Sequence, residues 1–449
     1  MNIQTSRYWY RCIGCGARYE PDRPHYTCHC GSLLMVERDL DWLRSQFGQL
    51  TTWRQHCETL KRLPHSQYPF GSGVFCWLNL VLPGFPEKFA VTLKEGNTDL
   101  WRPPDWLKCN IGLNRLRIKL EGQAPSGSFK DRGMPIPISD AIRLQSLHPE
   151  LGIKYVACAS TGDTSASASY YSAYVRNLLR CIVMVAEGKI QPAQMFQAED
   201  AGAIVLAVKA DGFDTAMKIA QQFCTNHPEI VLVNSKNALR IVGQETISLE
   251  IFADLGYKVP QWLAIPVGNA GNITAQMSAW LLLKELKFID HLPGIICAQS
   301  EAASTVSRWI KSGFENYQPG QPASTIASAM NIQDPVSFPR VRFLRPQFQM
   351  IGYDVSEEEI ATTRAQFNQA GAGLCPQGAV TVAAVLKARA DGMVKEDDQV
   401  VAISTANNLK FTESGMAHHQ SAPVERFANR PLVVDANLEA IEKALAEII

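Results

Sequence analysis

One lysine of this chain stands among small residues, in Ser126-Gly127-Ser128-Phe129-Lys130-Asp131-Arg132-Gly133. An amine that must form a Schiff base needs close backbone approach, which small neighbours permit. It also needs a pKa lowered by burial or by a nearby cation. Arg132 could supply that cation. The plain alternative is a solvated surface lysine, the fate of most lysines.

Other polar loops follow short apolar runs, and they bear on that choice. Ala159-Ser160-Thr161-Gly162-Asp163-Thr164-Ser165 offers hydroxyls and amides at a strand-to-helix turn. Such a turn is an anion cradle, strengthened by the positive end of the helix dipole. A substrate carboxylate fits there, and so does an ordinary helix cap. In Gly268-Asn269-Ala270-Gly271-Asn272 two glycines let the main chain wrap a phosphate. Asn234-Ser235-Lys236-Asn237-Ala238-Leu239-Arg240 joins a guanidinium to two amides and a hydroxyl, which suits a second phosphate. Its bland reading is a helix start with solvated charges. Ser404-Thr405-Ala406-Asn407-Asn408-Leu409-Lys410 is unremarkable by spacing alone. A single Gly-x-x-Gly loop is weak evidence. Two anion loops beside a candidate Schiff-base lysine are much stronger.

These loops need a scaffold, and the chain has material for one. Its 449 residues suffice for roughly two or three domains, and 46% hydrophobic with 19% charged is ordinary for a soluble globular enzyme. Lys plus Arg and Asp plus Glu are both 43, a balance that gives no sign of nucleic acid or an anionic membrane as partner. No apolar run reaches about 18 residues, and the polar, aromatic N-terminus lacks the apolar core of a signal peptide. Cys158, Cys181 and Cys297 sit singly in apolar runs and read as reduced core residues. A cytoplasmic location is therefore expected.

From about 150 to 300, apolar runs at 154–158, 181–186, 203–208, 230–233, 262–267 and 295–298 alternate with helix-length segments at 164–177, 212–226, 239–255 and 272–287. Continuous apolar strands between helices predict an α/β fold with mostly parallel sheets covered on both faces, and ligands at the strands' carboxyl ends. Residues 312–345 read as a long ordered loop near a site. The tail after Ser414 offers only a terminal helix near 437–448. Near the N-terminus, Cys12-x-x-Cys15 and Cys28-x-Cys30 form a four-thiolate set suited to a closed structural zinc site. The second pair is one residue tighter than the usual knuckle, His25 and His29 could substitute, and metal-free thiols or a redox pair are the alternatives.

Taken together, the lysine octapeptide, STGDTSA at 160–166, NSKNALRIVGQ at 234–244, GNAGN at 268–272 and AMNIQDPVSFPRV at 329–341 resemble the threonine synthases, fold type II pyridoxal 5′-phosphate enzymes. The similarity covers roughly residues 90 to 415, with the motifs in the family's order. It implies a tryptophan synthase β-like fold, with two doubly wound, mostly parallel sheet domains and a small N-terminal Cys-rich ribbon. The corresponding boundaries are 1–40 for the ribbon, 41–150 for the first part of the catalytic region, 151–240 for a smaller α/β domain, 241–425 for a large cofactor-binding domain and 426–449 for a terminal helix.

The resemblance implies conversion of O-phospho-L-homoserine and water to L-threonine and phosphate. Lys130 then carries the cofactor and shuttles protons. Gly268, Asn269, Ala270, Gly271 and Asn272 hold its phosphate, Asp163 lies near its ring hydroxyl, and Thr405 faces its pyridine nitrogen. Ser160, Thr161 and Thr164 bind the substrate carboxylate, while Asn234, Ser235 and Arg240 bind the substrate phosphate. Cys12, Cys15, Cys28 and Cys30 match a zinc ribbon carried by some relatives, and a homodimer is the assembly the fold suggests. The chain departs from the family at Asn407 and Asn408, where a histidine and a glycine are usual, and at Cys375-Pro376-Gln377, where many relatives have Glu-Pro-His. These departures keep a second expectation open, an amino-acid dehydratase or a β-replacement synthase with the same cofactor.

Overall fold

Apolar runs become parallel strands in the computed structural model, which describes residues 6–62, 69, 71–160, 162–187, 192–209, 213–321, 323–421 and 426–446. Tyr155–Ala159, Arg180–Ala186, Ile204–Val208 and Ile230–Leu232 form a four-stranded parallel sheet, in the spatial order 204–208, 180–186, 155–159, 230–232. A six-stranded sheet has the order 350–355, 294–300, 262–266, 400–404, 116–120, 100–101, and only its last pairing is antiparallel. Trp262–Pro266, Gly294–Ser300 and Val400–Ser404 are buried along their whole length. Helices cover both faces of such strands, which explains their unbroken apolar pattern.

Both sheets reverse direction at a switch point. In the smaller one the chain steps outward from 155–159 to 180–186 and 204–208, then returns to place 230–232 on the other side of its start. In the larger one it steps from 262–266 to 294–300 and 350–355, then returns to place 400–404 on the other side. Each reversal parts the loops beyond the carboxyl ends of two neighbouring strands and leaves a ligand crevice between them. The loops after 159, 232, 266 and 404 are therefore brought to these crevices.

Helix Ala238–Asp254 is the central post. Every residue from Ala238 to Phe252 is buried, so its polar side chains must find partners inside the fold. Glu250 is paired with Arg132 Nη1 at 2.6 Å and with Lys119 Nζ at 3.0 Å. Glu245 is paired with Arg38 from the N-terminal strand Leu34–Arg38. Gly243 lets the short helix Lys130–Gly133 cross closely, because a Cβ there would lie 2.1 Å from the Arg132 carbonyl oxygen. The lysine's position is thus fixed by helix-on-helix contact.

Strands Tyr8–Cys12, Arg18–Tyr19 and Leu34–Arg38 form an antiparallel ribbon in which Cys12 pairs directly with Leu34. The stretch read as a long loop contains a helix, Phe338–Leu344, with proline in its first turn. A second difference lies at Thr412–His419, a helix that runs through Ser414, where the pattern suggested only the terminal helix, observed at Leu438–Ala446. Among the described residues no helix is long and apolar enough to cross a membrane.

Candidate active site

A cavity of about 230 Å³ opens at both crevices. Its wall includes Lys130, Ser160, Asp163, Thr164, Asn234, Ser235, Arg240, Thr405 and every residue from Gly268 to Asn272. Thr161 lies outside the described residues.

Lys130 opens its short helix directly after a segment pinned to the larger sheet. The Phe129 N–H donates to the Thr405 carbonyl at 2.8 Å, and Ser128 bridges to Ala406. Lys130 Nζ lies 4.3 Å from the centre of the Phe129 ring, and among the described residues it makes no ion pair. Burial pushes its pKa down to about 8, the Arg240 guanidinium adds to the shift, and Asp163 opposes it. Arg132, expected from its proximity in sequence to supply the cation, does not do so. It is fully buried and turned toward Glu121 and Glu250, whose charges it neutralises.

Asp163 begins helix Asp163–Tyr174, and Lys410 Nζ approaches its carboxylate at 2.9 Å. Lys410 also donates to the Ser126 carbonyl and to Gln197 Oε1, both at 2.8 Å. This lysine, unassigned from the sequence, ties the loops flanking the cavity and anchors a negative charge at its wall.

The glycine loop has the geometry of an anion cradle. Ala270 sits at φ 59°, a left-handed conformation rare for alanine, and helix Gly271–Glu285 follows with no side chain capping its first turn. Its opening N–H groups are therefore available to a ligand. At Gly268 a Cβ would stand 3.0 Å from the Ala329 carbonyl oxygen and 3.2 Å from the Met330 Cα, so a side chain there would push on the 329–330 backbone.

At the neighbouring loop, Arg240 Nη1 donates to the Val233 carbonyl at 3.2 Å. Burial lowers the Arg240 pKa to about 10, which leaves it charged at neutral pH. Ser235 Oγ accepts from Asn269 Nδ2 at 3.0 Å, joining the two anion loops. The Asn234 amide is spent differently from expectation. It accepts from the Ala159 N–H at 2.9 Å and donates to the Ala159 carbonyl at 2.8 Å, stapling two crevice loops together.

Several buried polar atoms on this cavity's wall have no hydrogen-bond partner among the described residues. These are Arg240 Nε, Gln244 Oε1, Asn272 Nδ2 and both amide atoms of Gln377, all buried and, among the described residues, unpaired. A buried polar atom without a hydrogen bond costs about 1–3 kcal/mol, so the cluster marks where a polar ligand belongs. Gln244 closes the 234–244 motif and Gln377 stands in one of the chain's departures from the family, but neither was assigned a role at the cavity from the sequence. The donor set fits a phosphorylated aldehyde cofactor: a depressed amine, an uncapped glycine cradle and a hydroxyl at Thr405.

Away from the cavity, the sulfurs of Cys12, Cys15, Cys28 and Cys30 lie within 4.8 Å of one another. Cys12 Sγ is 3.5 Å from Cys30 Sγ, and Cys15 Sγ is 3.5 Å from Cys28 Sγ. The main-chain N–H groups of Gly14 and Cys15 point at Cys12 Sγ.

A family model described as pyridoxal-phosphate dependent enzyme matches residues 91–406. The chain is 35% identical over 436 residues to threonine synthase 2, chloroplastic, of Arabidopsis thaliana, covering 96% of this chain and 82% of that one. It is 33% identical over 444 residues to the threonine synthase of Methanocaldococcus jannaschii, covering 98% and 99%. Among solved structures, threonine synthase from Escherichia coli superposes with a TM-score of 0.63 at 18% identity, over 98% of this chain and 100% of that one.

Proposed function

The chain belongs to the pyridoxal-phosphate-dependent enzyme family and, within it, to the threonine synthases, and from that premise we propose that it converts O-phospho-L-homoserine and water into L-threonine and phosphate as a carbon–oxygen lyase. The observation that carries the assignment of roles is the meeting of Lys130, two anion loops and unpaired buried polar atoms at one cavity. Pyridoxal phosphate, when bound, supplies an electron sink for charge developing at the substrate's α-carbon.

Lys130 holds the cofactor at rest and afterwards moves protons at the α-carbon, a task suited to an amine with a pKa near 8. The main-chain amides from Gly268 to Asn272 hold the cofactor phosphate at the uncapped helix start. Asp163, paired with Lys410, would hold the ring hydroxyl, and Thr405 would hold the ring nitrogen. A hydroxyl there, in place of a carboxylate, would limit electron withdrawal by the ring, a lever on which reaction the cofactor performs. Ser160 and Thr164, with Thr161 in the same motif, orient the substrate carboxylate. Arg240 and Ser235 grip the γ-phosphate, both in binding and as it departs. Asn234 supports this grip by fixing the two loops to each other.

The four cysteines are proposed to hold a structural zinc ion. Tetrahedral Zn–S bonds of about 2.3 Å place sulfurs about 3.8 Å apart; two of the pairs stand at 3.5 Å and all lie within 4.8 Å. N–H groups directed at Cys12 Sγ would stabilise a thiolate there. A cytoplasmic setting belongs to the same reading, supported by thiols buried within core strands at Cys158 and Cys297.

Purified enzyme given O-phosphohomoserine should release inorganic phosphate and threonine in equal amounts. Release of ammonia with an oxo acid would assign it instead to the dehydratases.

A further inference from the structure

Arg340 is a fully buried cation with no carboxylate in ion-pair reach among the described residues. Its guanidinium instead reads three main-chain oxygens from two parts of the chain and one hydroxyl of its own helix start. Nε donates to the Leu34 carbonyl at 2.9 Å, Nη1 to the Ser235 carbonyl at 2.9 Å and the Ser337 hydroxyl at 3.1 Å, and Nη2 to the Lys236 carbonyl at 2.9 Å. Burial alone lowers its pKa to about 10, so it stays protonated at neutral pH. A charge buried without a counter-ion is costly, and here only hydrogen bonds offset that cost.

Ser235 and Lys236 are the central residues of a turn closed by the Asn237 N–H donating to the Asn234 carbonyl at 3.0 Å. Each end of that turn is already fixed, by Asn234 on Ala159 and by Asn237 capping helix Ala238–Asp254. The middle is fixed by Arg340. In a planar trans peptide the C=O and the following N–H point in opposite directions. Drawing the Ser235 carbonyl onto Arg340 therefore turns the Lys236 N–H away from it and sets where the Ser235 side chain meets the cavity. A positive charge behind the turn also raises the potential felt by an anion in front of it.

We propose that Arg340 is the positioning residue for substrate phosphate. It shapes the 234–237 turn from behind, and it is itself held by Leu34, the residue paired with Cys12 in the ribbon. The inference rests on the assignment of that turn and Arg240 to the phosphate group, so its test must separate the two. The affinity of the cofactor-loaded enzyme for inorganic phosphate, as a competitor of O-phosphohomoserine, is the direct readout.

Arg340→Gln should weaken phosphate affinity and raise KM about tenfold, which corresponds to about 1.4 kcal/mol. Turnover at saturation should fall as well, by a smaller factor of about threefold, because the same turn holds the departing phosphate, while cofactor absorbance should be unchanged. Ser337→Ala removes one partner of the guanidinium without stranding a charge, folds more safely, and should shift the same constants about threefold. Unchanged phosphate affinity in a folded Ser337→Ala or Arg340→Gln enzyme overturns the proposal, as does a loss confined to turnover. Arg240→Ala is the control. If it weakens phosphate binding while the other two do not, only the role of Arg340 falls; if it too has no effect, the phosphate assignment falls with it.

Discussion

Lys130 and Arg240 share one cavity, and the charge of one acts on the protonation of the other. An ordinary lysine titrates near 10.4, whereas burial first and Arg240 second bring Lys130 down to about 8. The neutral amine is the reactive form, and its fraction grows as pH rises through the pKa. Uptake of pyridoxal phosphate by the apoenzyme should therefore accelerate with a midpoint near pH 8. In Arg240→Ala the repelling charge is gone, so the midpoint should move upward, and stopped-flow absorbance over a pH series reads both. The same variant should raise KM for O-phosphohomoserine and lower turnover by about tenfold or more, since a charge-assisted hydrogen bond is worth about 1.5–3 kcal/mol. The polar wall was legible in the sequence because small and hydroxylic residues after an apolar run have few purposes besides caps and ligands. The places of Gln244 and Gln377 in that wall were not: they lie in stretches that carry the family resemblance or depart from it, 234–244 and 375–377, yet only the fold discloses that both are buried at the cavity. Arg132 shows the converse: two residues from the lysine in sequence, it faces away from it in the fold.

At the level of elements, the site depends on how closely two helices cross. A Cβ at Gly243 would collide with the main chain of Arg132 and Gly133, at 2.1 and 2.9 Å, and backbone cannot swing aside as a side chain can. Gly243→Ala should separate the Lys130 helix from the Arg240 helix. It should lower stability by about 1–3 kcal/mol and impair cofactor retention and phosphate affinity together, as absorbance and competition by phosphate would reveal. The same crossing carries the buried Arg132–Glu250–Lys119 cluster. Burial would raise the Glu250 pKa, but Arg132 and then Lys119 overcome it and hold the carboxyl well below its usual range. A depressed carboxylate contributes stability above its unfolded pKa and loses it as pH falls toward the folded one. Glu250→Gln should therefore lower the urea midpoint strongly near pH 7, with a loss of about 3–5 kcal/mol, and the gap to wild type should narrow below about pH 4. Helix and strand positions were readable from apolar periodicity because each is a local pattern. The crossing was not, because nothing in GQETIS distinguishes a glycine under a neighbouring backbone from one in open solvent.

Across the whole molecule, the N-terminal ribbon and the catalytic cavity are joined by a short physical path. Cys12 pairs with Leu34, Leu34 accepts from Arg340, and Arg340 holds Ser235 and Lys236 at the cavity edge. The thiolate spacing suggested a metal from sequence alone, yet only the folded register discloses what the metal would steady. Loss of one ligand should loosen the strand pairing at Cys12 and, with it, the oxygen that orients the guanidinium. On the proposed assignment the cofactor would instead be gripped by the Lys130 segment and the glycine loop, which draw their support from the larger sheet and the central helix. Cys12→Ser should accordingly lose bound zinc on metal analysis and unfold at lower temperature. Its cofactor absorbance should remain, while its KM for O-phosphohomoserine rises more than its turnover falls. A variant that loses zinc, keeps its fold and binds inorganic phosphate as tightly as the parent would separate ribbon from cavity and leave the metal a purely local clasp.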